Sequence, residues 1–240
     1  MKEILIALVA FLPMSLFAQD ADDQVDCSTV VTHIQFESEQ RESTTEIKTE
    51  EGVYSAPLTA VFSPEPGTSA VFFIWNVYKL NEHESYLHEE NLRSENLIIR
   101  YTDKVFRYTF RESGSYRIVL EVTDSTNTCH SKDFFPKAEE PALRIDDSFL
   151  DAPNVFSPGT SPGVNDEFRI AYKSIVSFKG WIFNRWGKQL FYWTDPDKGW
   201  DGKVNGKLVP PGVYFYVVEA KGSDGIDRNK KGHINILRGN

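Results

Sequence analysis

Ser115-Tyr116-Arg117-Ile118-Val119-Leu120-Glu121-Val122 is the stretch whose reading decides the fold. Successive side chains of a strand point to opposite faces, so Tyr116, Ile118, Leu120 and Val122 form an inward set opposite Ser115, Arg117, Val119 and Glu121. The same grammar extends towards the N-terminus. Val30 to Phe36 alternates, with Val30, Ile34 and Phe36 on one side and Val31, His33 and Gln35 on the other. Leu58 to Phe62, Val71 to Tyr78, Leu97 to Tyr101, Val105 to Phe110 and Cys129 to Phe135 read as further strands, separated by Gly, Pro, Asn or Asp clusters. About seven short strands in roughly 110 residues is the spacing of a β-sandwich. Residues 81–96 turn polar, and both a helical turn and a long loop stay open there.

Pro136-Lys137-Ala138-Glu139-Glu140-Pro141, with prolines at both ends and charges between, reads as a stiff surface linker, so 136–147 is expected to separate two domains. Beyond it come Val155-Phe156, Glu167 to Ala171, Ile175 to Phe183, Lys188 to Trp193, Val213 to Val218 and His233 to Leu237, again short and β-rich. The expectation is all-β: two immunoglobulin-like sandwiches in tandem, 19–135 and 148–240, after a cleaved signal peptide at 1–18. The 240 residues suffice for both, and 17 Phe suit thin sandwiches filled by large rings.

At the N-terminus a short basic start precedes an apolar run from Ile4 to Leu12, too short to span a bilayer, and Pro13 breaks it. Ser15-Leu16-Phe17-Ala18 ahead of Gln19 offers a cleavage point between Ala18 and Gln19. No later segment is apolar for long enough to cross a membrane, so the chain is not read as an integral membrane protein. Cys27 and Cys129 bracket the first domain, and in an oxidising compartment they are expected to pair; two separate buried thiols are the alternative. From Asp20 to Phe135 there are 21 acidic and 10 basic residues, a balance of -11, whereas Ser148 to Asn240 has 9 and 13, a balance of +4. An acidic first domain argues against nucleic acid as a partner, since phosphates need a basic face.

Catalytic chemistry finds little purchase. His83 and His88 are five apart rather than four, and five residues on a helix turn through about 500°, so their rings would not share a face. Asp195-Pro196-Asp197 reads as a turn rather than an acid-base pair. No catalytic residue, metal site or cofactor is expected. Trp181, Trp186, Trp193 and Trp200 with Tyr192, Tyr214 and Tyr216 could form a platform for sugar rings, but strand alternation buries about half of any such set, which favours a core role.

Six blocks in the second half carry a resemblance. They are Pro153-Asn154-Val155-Phe156-Ser157-Pro158, Gly163-Val164-Asn165-Asp166-Glu167-Phe168, Ile182-Phe183-Asn184-Arg185-Trp186-Gly187, Gly199-Trp200-Asp201-Gly202, Pro211-Gly212-Val213-Tyr214-Phe215-Tyr216 and Lys231-Gly232-His233-Ile234. In this order, over about 90 residues, they resemble the gliding-motility-associated C-terminal domain, the type B sorting domain of the type IX secretion system of Bacteroidetes. That resemblance implies a route: across the inner membrane by the signal peptide, folding in the periplasm, then presentation to an outer-membrane translocon, with a PorP/SprF-like outer-membrane protein as a further implied partner. The family usually has Asn-Gly-Asp-Gly after Phe-Ser-Pro, whereas Gly159-Thr160-Ser161-Pro162 intervenes here, and a loop with fewer carboxylates is a poorer calcium cage. The Asn184 to Gly187 block is expected to turn between two long strands, Trp186 packing down and Gly187 supplying the turn geometry.

The first half more loosely resembles PKD-like domains, through Ala56 to Ser63, Phe73-Ile74-Trp75-Asn76 and Ser113 to Ile118, with Trp75 as a core anchor. Together these readings imply a non-enzymatic protein, secreted or on the cell surface, whose N-terminal domain binds an unknown extracellular ligand or acts as a spacer. A structural accessory of the gliding or secretion machinery is the alternative, and a carbohydrate-binding module a weaker one.

Overall fold

The computed structural model describes residues 32–37, 53–65, 70–81, 92–126, 130–137, 141–159 and 165–237. The expected signal peptide, the Ala18 and Gln19 cleavage point and both Cys27 and Cys129 lie outside the described residues. Among the described residues the protein is all-β, and no helix is long and apolar enough to cross a membrane.

In the N-terminal half, β1 (Thr32–Phe36), β3 (Leu58–Pro64) and β6 (Phe106–Phe110) form a three-stranded antiparallel sheet in the order β1-β3-β6. A second sheet contains β2 (Val53–Tyr54), β4 (Phe72–Leu80), β5 (Leu97–Tyr101), β7 (Gly114–Thr123), β8 (His130–Phe135) and β9 (Leu143–Ile145). Its centre is β7, which pairs with β4 along one edge and with β8 and then β9 along the other. One core lies between the two sheets, with Phe62, Phe106 and Phe110 contributed by the first and Trp75, Val77, Ile118 and Leu120 by the second. Trp75 is wholly buried, within 6.0 Å of the Phe62 ring and 6.3 Å of the Phe106 ring, and its indole N–H donates to Asp103 O at 2.9 Å. The aromatic anchor expected at Trp75 is therefore hydrogen-bonded as a buried indole must be.

In β7 the inward set Tyr116, Ile118, Leu120 and Val122 is buried, but Arg117 and Val119 on the opposite face are buried as well. Alternation could not reveal this, because it reports which face a residue takes and not whether that face is covered. Arg117 Nη1 donates to Pro136 O at 2.5 Å and to Lys137 O at 2.6 Å, so a guanidinium fills the donor need of a chain leaving its sheet. Arg117→Ala is expected to strand these carbonyls and to cost roughly 2–4 kcal/mol, read by urea denaturation.

Within the stretch expected as a linker, the described residues 136–137 and 141–147 are tied to the first half: Leu143 and Ile145 are buried in the first core, β9 pairs with β7 and, in parallel, with β2, and Arg117 holds the chain at Pro136. Prolines and charges mark Pro136 to Pro141 as irregular, yet Leu143-Arg144-Ile145 is a short alternating strand that the charged surroundings disguise.

The C-terminal half holds β10 (Phe149–Asp151), β11 (Val155–Phe156), β12 (Ala171–Lys173), β13 (Ile175–Phe183), β14 (Gln189–Trp193), β15 (Lys203–Val204), β16 (Lys207–Leu208), β17 (Gly212–Gly222) and β18 (Lys230–Ile236). Five of them form one sheet in the order β11-β18-β17-β13-β14; β10 pairs with β12 and β15 with β16. The sheet is antiparallel except where β11 runs parallel to β18. A second core, separate from the first, is built on Phe168, Ile170, Ile182, Trp200, Val218 and Ile234, all fully buried.

The halves meet through a polar joint. Ala56 N–H donates to Ser174 Oγ at 3.1 Å, Ser113 N–H to Ser223 O at 2.9 Å and Ser223 Oγ to Asp146 O at 2.9 Å, while Val176 packs against the first core. Asp146 pairs with Lys173 at 2.7 Å and Asp224 with Arg228 at 2.6 Å. Burial pushes both carboxyls up, but at Asp146 the hydrogen bonds from Lys173 and the Asp147 N–H outweigh it, as do those from the Ile226 N–H, Ser148 and Arg228 at Asp224. Both carboxyls sit below their ordinary value. A depressed carboxyl stabilises above its unfolded pKa of about 4, and that contribution is lost as pH falls through the folded value. Denaturation midpoints are therefore expected to fall on acidification below about pH 4, less steeply in Asp146→Asn and Asp224→Asn.

Candidate functional site

The blocks singled out in the sequence separate into a buried cluster and an exposed turn. In the cluster, Phe156 is buried with its ring 5.7 Å from Trp200 and 6.3 Å from Phe168; Pro158 is buried beside it, and the Tyr214 ring stands 5.6 Å from Trp200. Trp200 exchanges backbone hydrogen bonds with Phe168 at 2.9 and 3.0 Å, and its indole donates to Lys203 O at 3.1 Å. Tyr214 OH donates to Pro210 O at 2.8 Å, which holds the Pro211 and Gly212 bend at the start of β17. These contacts explain why large aromatic residues stand beside turn residues at these places: each ring pins a turn to the core.

Asp201 stays near the surface, its carboxylate accepting from the Lys203 N–H at 3.0 Å and pairing with Lys203 Nζ at 2.9 Å. Burial raises its carboxyl, but the Lys203 bonds prevail and hold it below the ordinary value. Gly202 lies in the following turn, its carbonyl taking the Val209 N–H at 2.9 Å. The loop after Pro158 is closed by Ser157 N–H donating to Asn165 O at 2.9 Å and Gly159 N–H to Asp166 Oδ1 at 3.1 Å. Asn154 is exposed, and its carbonyl accepts the Asn235 N–H at 2.9 Å.

The exposed element is the turn between β13 and β14. Asn184 Oδ1 accepts from the N–H groups of Trp186 at 3.0 Å and Lys188 at 2.9 Å, and Gly187 takes a φ of +77°, a left-handed conformation that favours glycine. The turn geometry expected of Asn184 and Gly187 is present, but Trp186 does not pack down. It is 76% exposed, with the Arg185 guanidinium 4.3 Å from its ring centre. A turn that points off the end of a hairpin leaves a central side chain nothing to pack on. Trp186→Ala is thus expected to shift stability by less than about 0.5 kcal/mol, measured by thermal denaturation.

Lys231 is exposed on β18, and Gly232 beside it permits a close approach: a Cβ there would lie 2.8 Å from the Tyr216 hydroxyl. The aromatic set divides in two. Trp193, Trp200, Tyr214 and Tyr216 are buried, whereas Tyr192 and Trp186 are exposed and Trp181 is partly so. Phe215, quoted in its block but given no role there, is exposed between Tyr214 and Tyr216, and strand alternation is the signal that sets it on the other face. Among the described residues no group of three or more His, Cys, Asp or Glu could hold a metal ion, and His83 and His88 lie outside them.

Residues 150–236 match the family model of the CHU_C Type IX secretion signal domain. The second core, from Leu150 to Ile236, falls wholly within the stretch that is similar to a type IX secretion signal domain. No curated protein matches the sequence. Among solved structures, the chain is similar to a tetra-tandem repeat in the extending region of a large adhesion protein, at 10% identity and a TM-score of 0.26, covering 87% of this chain and 50% of that one. It is also similar to dimeric latent PorU from Porphyromonas gingivalis, at 9% identity and a TM-score of 0.23, covering 87% of this chain and 34% of that one. The chain thus spans half or less of the length of these structures.

Proposed function

We propose that the protein is a non-enzymatic surface or secreted protein in which an immunoglobulin-like, PKD-like N-terminal domain is carried as a binding or spacer passenger by the C-terminal domain. The observation that carries this reading is the family match confined to a domain with its own core. The immunoglobulin-like reading of the first half draws support from Tyr116, whose hydroxyl donates to Glu112 O at 2.8 Å, four residues upstream at the entry to a central strand, as in the tyrosine corner of such sandwiches. Recognition by the translocon falls on the solvent-facing residues of the sorting motif, Asn184 to Gly187 with Trp186 foremost, while Phe156, Trp200 and Tyr214 keep the domain solid. Cleavage between Ala18 and Gln19 and pairing of Cys27 with Cys129 complete the exported form, and a PorP/SprF-like outer-membrane protein is its partner.

The test is transfer. Residues 148–240, fused behind a periplasmic reporter, are expected to carry it to the surface of a host possessing type IX secretion and to fail in a host whose translocon is deleted. A reporter that stays periplasmic in both hosts overturns the reading. Export that is lost in Trp186→Ala, with the fold intact, places recognition at the turn.

A further inference from the structure

The five-stranded sheet has its core on one face. On the other, strand register places Tyr192, Trp181 and Val217 in one cross-strand row and Phe183 and Phe215 in the next, with Val213 following along β17. Tyr192, Phe215 and Val213 are 46%, 45% and 47% exposed, and the Tyr192 and Trp181 rings lie 5.5 Å apart. An apolar strip of this extent on an exported domain calls for an occupant.

The charges around the strip say which kind. Register puts Lys231 beside Val217 and His233 beside Phe215, with Lys179 two residues before Trp181, and Arg185 and Lys188 in the adjoining turn. Elsewhere in the domain Arg169, Lys173, Lys198, Lys203, Arg228 and Lys230 each have a carboxylate partner, while Lys207 forms no ion pair among the described residues. Lys179, Lys188 and Lys231 form no ion pair among the described residues, and Arg185 sits against the Trp186 ring instead. Glu219, in register with Lys179, and Asp227, bridged to Lys221, are carboxylates at the far end of this face of the sheet. The face therefore combines flat aromatic surface with an excess of cations, Lys231, Lys188 and Arg185 beyond the lysines that Glu219 and Asp227 face, and it complements a partner having both apolar faces and anions.

We propose that this face binds an acidic polysaccharide, the C–H faces of its rings stacking on Trp181, Tyr192 and Phe215 while its carboxylates pair with Lys231. Trp181, Phe183 and Val217 are only partly exposed and make a shallow ledge, which suits a chain lying along the sheet better than a bilayer that protruding side chains would have to enter. Tyr192, Lys231 and Phe215 stand in the roles of stacking ring, ion-pair donor and second stacking ring. The site is separate from the export reading and is tested on purified protein, so either can fail without the other.

The purified mature chain is run through native gels containing polygalacturonate or, as a neutral control, dextran. Retardation by polygalacturonate alone is expected, weakening as salt rises. Tyr192→Ser and Lys231→Glu, both at exposed positions, are each expected to lower the affinity by about tenfold or more with an unchanged melting point. Equal mobility in the two gels, or variants retarded like the parent chain, overturns the proposal. Binding to phosphatidylglycerol vesicles in place of polygalacturonate, lost in the same variants, overturns it in favour of a membrane; concentration-dependent self-association lost in those variants overturns it in favour of a second copy of the chain.

Discussion

Removing residues 148–240 is expected to reduce surface arrival to background and leave the N-terminal domain soluble in the periplasm. The position of the cut matters. Ending the chain at Asp147 keeps β9, whose Leu143 and Ile145 are buried in the first core, and keeps the carbonyls that Arg117 binds. A cut before residue 141, at the boundary that composition alone suggests, would strip β9 from both β7 and β2 and open that core to water, confounding loss of address with loss of fold. The truncated chain loses the packing of Val176 and the hydrogen bonds of Ser174 and Ser223, a modest and mostly polar set. Immunodetection on intact and on lysed cells separates surface from periplasm, and protease resistance of the periplasmic form reports its fold. A truncated chain that is folded and reaches the surface as efficiently as the full chain would refute the assignment of the address to the C-terminal domain.

Much of the fold could be read in advance where alternation is clean. Ile175 to Phe183 and Leu97 to Tyr101 are strands with the expected bounds, and the burial of Tyr116, Ile118, Leu120 and Val122 follows from their period of two. Short strands escaped for a physical reason. β2, β9, β10, β15 and β16 are two or three residues long, too short for any period to register, and they exist because longer neighbours offer them hydrogen-bonding edges. Parallel pairing of β11 with β18 was hidden likewise, since about 80 residues of chain bring the two together and no local signal encodes that. At the candidate site, turn chemistry was visible in Asn184 and Gly187, but the direction of Trp186 was not. Tryptophan composition argues for burial, whereas position at a hairpin tip decides exposure. The outward aromatic strip was half visible: Trp181 and Tyr192 stood in the right set, yet only the register between β13, β14 and β17 tells that they join Phe215 rather than the core.

Trp200→Ala is expected to cost about 3–5 kcal/mol, the range for truncating a large buried aromatic residue. The indole is wholly buried, touches the rings of Phe156 and Tyr214, and closes the turn at Lys203 through its N–H, so its loss leaves both a void and an unpaired carbonyl. Because a domain's whole stability is of order 5–15 kcal/mol, this substitution brings the C-terminal domain close to its limit. The two cores share no buried residue, so differential scanning calorimetry should show the C-terminal transition moving far down in temperature while the N-terminal one moves little; Trp75→Ala should produce the mirror image. Trp200→Phe, which keeps most of the buried ring, should restore most of the loss. Export then distinguishes two kinds of address. Trp200→Ala leaves Asn184, Arg185, Trp186 and Gly187 chemically untouched, so a machine that reads a linear tag would still accept the chain, whereas a machine that grips a folded surface would reject it in proportion to the unfolded fraction. Surface arrival that tracks the C-terminal transition across Trp200→Ala, Trp200→Phe and the parent chain supports the second; normal export of an unfolded Trp200→Ala domain would sink it.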